Sequence, residues 1–147
     1  MTRARLVHGI DVRAVEAAVR AAEQRTTGEI RVGLARFYFW GDVRRAAERA
    51  FATLKMDRTQ HRNGVLLYVA PRRKEFAVVG DRGIHKRVEQ IFWTELAGRL
   101  SAAFKAGDLT GGLERAIAEI GERLASYFPA PPGPNVNELP DEVARRR

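Results

Sequence analysis

The sequence predicts an α/β fold: three α/β/α layers, with a small mixed parallel/antiparallel sheet between helices. Three observations predict it. Apolar residues recur at helical spacing in four segments. Between them lie segments with strand patterning, one alternating and one continuously apolar. The two connections between strand segments also differ. The first is long enough for a helical crossover and implies a parallel pair; the second is a tight turn and implies an antiparallel one.

The elements follow in chain order. Asp11 suits a helix N-cap, with Ile10 before it and Val15 inside as a hydrophobic staple. Val15, Ala18, Val19 and Ala22 then share one helix face, and Thr26, Thr27 and Gly28 end the helix. From Glu29 the period changes to two, which places Ile30, Val32 and Leu34 on one side of a strand. A second helix starts after Gly41, capped by Asp42, and buries Val43, Ala46, Ala47, Ala50, Phe51 and Leu54. The run from Val65 to Ala70 is apolar throughout and suits a central strand covered on both faces. Pro71 to Lys74 turns the chain into a partner strand, Glu75 to Val79. Two helices close the domain. One carries a stripe of Val88, Ile91, Phe92, Leu96, Leu100 and Phe104; the other, after Gly107 and Asp108, carries Leu109, Leu113, Ile117, Ile120 and Leu124. Residues 1–128 therefore read as a single domain. Pro129, Pro131, Pro132 and Pro134 cannot continue a helix, so 129–147 reads as an extended or disordered tail. Arg145, Arg146 and Arg147 are read as part of that tail's end.

Composition sets the boundaries on function. The chain has 147 residues, long enough to bury a core without a covalent staple, and it has no cysteine. That excludes disulfide frameworks, cysteine-ligated zinc or iron–sulfur centres and a thiol nucleophile. Three histidines, His8, His61 and His85, are too few and too dispersed for a local His metal site. A signal-peptide apolar region and a bilayer-length apolar run are both missing, so a soluble, cytoplasmic protein is expected. Lys and Arg number 26 against 18 Asp and Glu, a net charge of +8. The excess falls within the first hundred residues and is overwhelmingly arginine, whose planar fork suits phosphate oxygens. Nucleic acid or an anionic membrane is therefore a rival partner, although a basic surface alone speaks first to solubility.

No nucleophile elbow, phosphate loop or His-Glu-x-x-His motif is present. Topology is more informative. With the first two strands parallel and the third running back, one sheet edge collects Thr27 and Gly28, then Arg62, Asn63 and Gly64, then Gly80 to Lys86. Asp81 is the carboxylate there, either held in an ion pair or acting as a base. Arg62, Arg82, His85 and Lys86 make the edge basic, a candidate anion site. Phe37, Tyr38, Phe39 and Trp40 could form a stacking platform beside Arg36, Arg44 and Arg45, but an aromatic run at a strand end is expected to pack into the core. The same expectation holds for Trp93.

These segments together resemble the TPM-domain family of thylakoid-lumen, photosystem-repair and receptor-modulator type. The resemblance is carried by Ala22 to Val32, Arg62 to Val69, Gly80 to Ile84, Phe92 with Trp93, Phe104 to Asp108 with Gly112 and Leu113, and Phe128 with Pro129. Asn137 to Asp141 looks like the tail of the family's short bacterial branch, so the similarity spans about residues 10–141. It implies a mixed sheet between helical layers. It also implies either acid phosphatase activity, divalent-cation binding, or an accessory role in membrane-protein repair or receptor regulation. The chain departs from the family pattern at two points. Arg62 stands where an acid precedes Asn-Gly, and His85 follows Gly83 and Ile84 where the pattern often has Glu.

The reading is therefore a soluble binding or accessory domain whose partner is a protein or an anionic ligand, with Arg62, Asn63, Asp81, Arg82 and His85 as ligand-binding candidates. The alternative is a phosphatase-like hydrolase using Asp81 or His85. No cofactor is expected; calcium or magnesium, implied by the resemblance, would fall to Asp81 and Asn63.

Overall fold

The computed structural model describes residues 6–131 and the backbone of 144–145. A miniature hairpin comes first: β1 (Leu6–Val7) pairs antiparallel with β2 (Ile10–Asp11). Its turn uses His8 and Gly9, both at positive φ. Two-residue strands are too short to carry a recognisable period, and sequence patterning does not announce them.

Helix α1 (Val12–Glu23) follows directly, and its N-cap is the predicted one: an Asp11 carboxylate oxygen accepts from Ala14 N at 3.3 Å. Strand β3 (Glu29–Leu34) leads through a loop to α2 (Val43–Thr53), where Asp42 accepts from Arg44 N at 2.9 Å. After a single 3₁₀ turn at Met56–Arg58 come β4 (Gly64–Ala70), a second such turn at Pro71–Arg73, and β5 (Glu75–Gly80). A one-turn helix, α3 (Arg82–His85), precedes the long helices α4 (Gln90–Lys105) and α5 (Leu109–Tyr127). Asp108 caps α5 by accepting from Gly111 N at 3.1 Å. Aspartate thus starts α1, α2, α3 and α5, each cap contributing about 1 kcal/mol by satisfying an otherwise orphaned N–H.

The sheet order is β5-β4-β3-β6, where β6 is Ala144–Arg145. Strands β3 and β4 are parallel with Glu29 opposite Gly64, and β4 and β5 antiparallel with Val65 opposite Gly80, as the two connection lengths require. Side-chain alternation divides the core into two layers. Ile30, Val32, Leu34, Val65, Leu67 and Val69 face α1, α4 and α5. Leu66, Tyr68, Ala77 and Val79 face α2. Strand β4 therefore buries every residue, which accounts for its unbroken apolar run. Gly121 of α5 lets the helix settle on α1, where a Cβ would stand 2.7 Å from Ala22 Cβ.

Two expectations need correction. Phe37, Tyr38 and Trp40 do not enter the core; they stand 69%, 49% and 87% exposed on the loop that leaves the end of β3. Only Phe39 of that run packs, against the α2 layer. Ile91 also leaves the predicted α4 stripe and is exposed, whereas Phe92 and Trp93 lie half-buried against the larger core.

The chain after α5 is held for at least three residues. Phe128 O accepts from Thr27 N at 2.9 Å and Thr26 Oγ1 at 2.5 Å, Pro129 bridges to Thr26, and Ala130 N donates to Arg25 O. Ala144–Arg145 lies parallel to β3 beside Gly33 and Leu34. The remainder of the proposed tail, including Asn137 to Asp141 and the last two arginines, lies outside the described residues. Among the described residues no helix is long and apolar enough to cross a membrane.

Candidate functional site

The predicted edge forms where β3 and β4 begin and β5 ends. Register alone brings these points together, because Glu29 sits opposite Gly64 and Val65 opposite Gly80. Asp81 N then donates to Gly64 O at 2.9 Å and fixes the start of α3 against the start of β4.

The loop before β4 is shaped by Arg62, whose φ of 51° is uncommon for a residue with a side chain. Two contacts hold it there. Its carbonyl accepts from Gly83 N at 2.9 Å, and its guanidinium reaches Asp81. Gly83 must be glycine at this approach, since a Cβ would stand 2.6 Å from Arg62 O.

Asp81 is buried, and both its carboxylate oxygens accept hydrogen bonds. Arg62 Nε donates to Oδ2 at 2.7 Å, and Arg62 Nη2 and Arg82 N donate to Oδ1 at 3.0 and 2.7 Å. Such a side-on, two-point pair is the strong form of a charge-assisted hydrogen bond. The bond from Asp81 holds the Arg62 guanidinium above its ordinary pKa, reinforced by the Asp81 and Asp57 charges and opposed by desolvation. Of the two roles open to Asp81 in sequence, ion pair or base, the geometry is that of the ion pair.

Asn63 is fully buried. Its N–H donates to Thr59 Oγ1 and its Nδ2 to Thr27 Oγ1, both at 3.2 Å, so it ties the loop before β4 to the loop before β3. Its Oδ1 is buried with no hydrogen-bond partner among the described residues. Arg82 and His85 lie on α3 at the same edge and are exposed, as are Lys86 and Arg87 just beyond. All five named site residues therefore gather in one place, in two groups: Arg62, Asn63 and Asp81 interlock, and Arg82 and His85 face solvent. The sequence reading missed Thr59, whose hydroxyl supports Asn63 from four residues upstream. A hydroxyl residue ahead of an Asn-Gly turn is the signal that could have found it.

This arrangement, a four-stranded mixed sheet between helical layers with a loop-built polar edge at the strand starts, defines an α/β/α sandwich domain whose candidate site lies on turns. Residues 2–123 match the TPM domain, and the chain belongs to that family. It is similar to the BA42 protein of the psychrophilic bacterium Bizionia argentinensis, solved by NMR, at 38% identity over 92% of each chain with a TM-score of 0.84. The N-terminal domain of the Corynebacterium glutamicum protein cg2496 shares the fold at 15% identity and a TM-score of 0.53, over 76% of this chain and 67% of that one. No curated protein matches the chain.

Proposed function

We propose that this TPM domain is a binding module that takes a small phosphate-class anion at the Arg62–His85 edge and does so without turning it over. One observation carries the reading. The carboxylate of Asp81 is consumed by Arg62, while Arg82, His85, Lys86 and Arg87 stand exposed around it, so the charge on offer at the edge is positive. In this division of labour Arg62, Asn63 and Asp81 set the shape of the edge. Arg82 and Lys86 supply charge, and His85 adds a ring N–H donor.

The calcium or magnesium implied by the family resemblance does not fit this donor set. A hard cation takes six or more oxygens. Here both Asp81 oxygens already accept from guanidinium or backbone donors, and the Oδ1 of Asn63 is a neutral oxygen. Among the described residues no cluster of three His, Asp or Glu side chains is arranged to hold a metal. The hydrolase alternative asks the same occupied carboxylate to serve as nucleophile or base, which ranks it behind binding.

Calorimetric titration with inorganic phosphate and with p-nitrophenyl phosphate tests the reading. Saturable binding is expected, weakened about 10-fold or more in the Arg82→Ala/Lys86→Ala variant, a change of roughly 1.4 kcal/mol, with no release of nitrophenol above the blank. Absence of saturable binding, or equal affinity in the variant, overturns it. Nitrophenol release that disappears in Asp81→Asn instead establishes the hydrolase.

A further inference from the structure

At the opposite end of the sheet, where β3 and β4 both finish, four large apolar side chains stand in solvent. Phe37, Tyr38 and Trp40 lie on the loop between β3 and α2, and Leu6, 68% exposed, lies on β1. Ile91, on α4, is the other large apolar side chain exposed among the described residues. Three of the five share one four-residue stretch of loop, and Leu6 lies on the hairpin that His8 ties to that loop.

The loop that bears the rings is held in place. Arg73 Nη1 donates to the carbonyls of Phe39 at 3.2 Å and Gly41 at 2.8 Å, and its Nε holds Glu75 at 2.6 Å. The same guanidinium covers the Phe39 ring at 4.9 Å. On the other side His8 Nε2 bonds to Arg36 O at 2.9 Å, fastening the β1–β2 hairpin, and with it Leu6, to the loop. The rings are thus presented by a fixed scaffold, so little order has to be created when something covers them.

The charge around the patch is strongly positive. Arg36, Arg44 and Arg45 flank the loop and Arg72 and Lys74 rise from the adjoining turn, all exposed. Among the described residues, Glu75 pairs with Arg73, Glu48 with Arg44 at 3.7 Å, and Asp42 caps α2. Exposed aromatic and aliphatic groups ringed by arginine match a surface that is apolar inside and anionic at its boundary. A bilayer carrying anionic phospholipid has that profile, with a headgroup region suited to Trp, Tyr and Arg.

We infer that this end of the domain is a peripheral docking surface for anionic membranes. Leu6, Phe37 and Trp40 enter the headgroup–acyl boundary, and Arg36, Arg45 and Arg72 meet the lipid phosphates. Single-stranded nucleic acid suits the same charge but not the same shape. Successive bases need open, stackable ring faces. Here Tyr38 meets Trp40 edge-on, with planes at 74° and centroids 5.2 Å apart. The Arg36 guanidinium lies over Phe37 at 5.7 Å, and Leu6 has no ring at all.

The test is co-sedimentation of the full chain with vesicles of phosphatidylcholine, alone or with about 30 mol% phosphatidylglycerol, alongside tryptophan emission. Binding to the anionic vesicles only is expected, with a blue shift and with loss of affinity as salt rises. Phe37→Ser/Trp40→Ser and Arg36→Glu/Arg72→Glu should each weaken partitioning about 10-fold or more with the far-ultraviolet dichroism unchanged. Charge reversal at Arg20, in the last turn of α1, and Arg25, just beyond it, should weaken it much less. Equal binding to neutral vesicles, or undiminished binding by Phe37→Ser/Trp40→Ser, overturns the inference. So does oligothymidine binding, or a Trp40-dependent dimer in sedimentation, in a protein that ignores both vesicles.

Discussion

The Arg62 guanidinium meets the Asp81 carboxylate side-on, Nε to Oδ2 at 2.7 Å and Nη2 to Oδ1 at 3.0 Å, and so joins the loop before β4 to the cap of α3. The aspartate side chain is 5% exposed and the arginine side chain 33%, so the pair is wet on one side only. Removing either partner has unequal consequences. Loss of the aspartate costs the ion pair and a helix cap together, while loss of the arginine leaves a buried carboxylate facing a gap.

Asp81→Ala is therefore expected to destabilise the domain by about 1–3 kcal/mol, cap included. Urea denaturation followed by circular dichroism measures this. Arg62→Lys keeps the charge but loses the fork, and its midpoint should fall between wild type and Arg62→Ala. A lysine variant no better than alanine would mean that the fork, not the charge, is what matters.

The pH dependence of this pair has a definite sign. Because the arginine pKa is raised in the folded protein, its contribution is complete below the unfolded value and lost only as pH climbs through the folded one, far above any working range. The arginine's side of the pairing is thus constant between about pH 5.5 and 8. Arg62→His moves the transition into that window, since imidazole titrates near 6.5 and gains from the facing carboxylate. Relative to wild type, the histidine variant should be more stable at about pH 5.5 than at pH 8. Urea midpoints at the two pH values check this, and a difference of the opposite sign would place the imidazole away from Asp81.

Why the edge was legible in sequence, and its detail was not, follows from particular residues. The unbroken apolar run of β4 reflects covering on both faces, Leu66 and Tyr68 by the α2 layer, Leu67 and Val69 by the α1 and α5 layer. The four-residue turn after Ala70 dictates an antiparallel β5, and from that alone Arg62, Asn63 and Asp81 must share an end of the sheet. Which role Asp81 takes depends on the left-handed φ of Arg62, and no composition rule encodes that. The aromatic run at 37–40 failed as core because β3 stops at Leu34, so the rings fall beyond the edge of the sheet they were expected to cover. β6 pairs with a strand more than a hundred residues earlier, a relation that local patterning cannot carry.

Glycines inside helices separate propensity from packing. Gly98 of α4 is exposed, with nothing within 4 Å of the point where an added Cβ would stand, so Gly98→Ala should stabilise by about 0.5–1 kcal/mol. Gly121 of α5 gains the same propensity on substitution, but its Cβ would meet Ala22 Cβ at 2.7 Å and Ala22 Cα at 3.2 Å. Overpacking of roughly 1–3 kcal/mol wins there. Thermal melts of the two single variants should move in opposite directions, and parallel shifts would mean that α1 and α5 can separate cheaply.

Gly83→Ala bears on the candidate site without altering any charge. The added methyl stands 2.6 Å from Arg62 O and 3.0 Å from Arg62 C, both backbone atoms that no rotamer change can move aside. Either the loop before β4 or the start of α3 must retreat, and the 2.9 Å bond from Gly83 N to Arg62 O goes with it. A loss of about 1–3 kcal/mol is expected. The displacement also carries Arg82 and His85 away from the loop, so phosphate affinity should fall with stability. Calorimetry at a temperature where the variant is fully folded keeps the two effects apart. Unchanged phosphate affinity in the folded variant would mean that the α3 cations bind independently of the Arg62–Asp81 clasp.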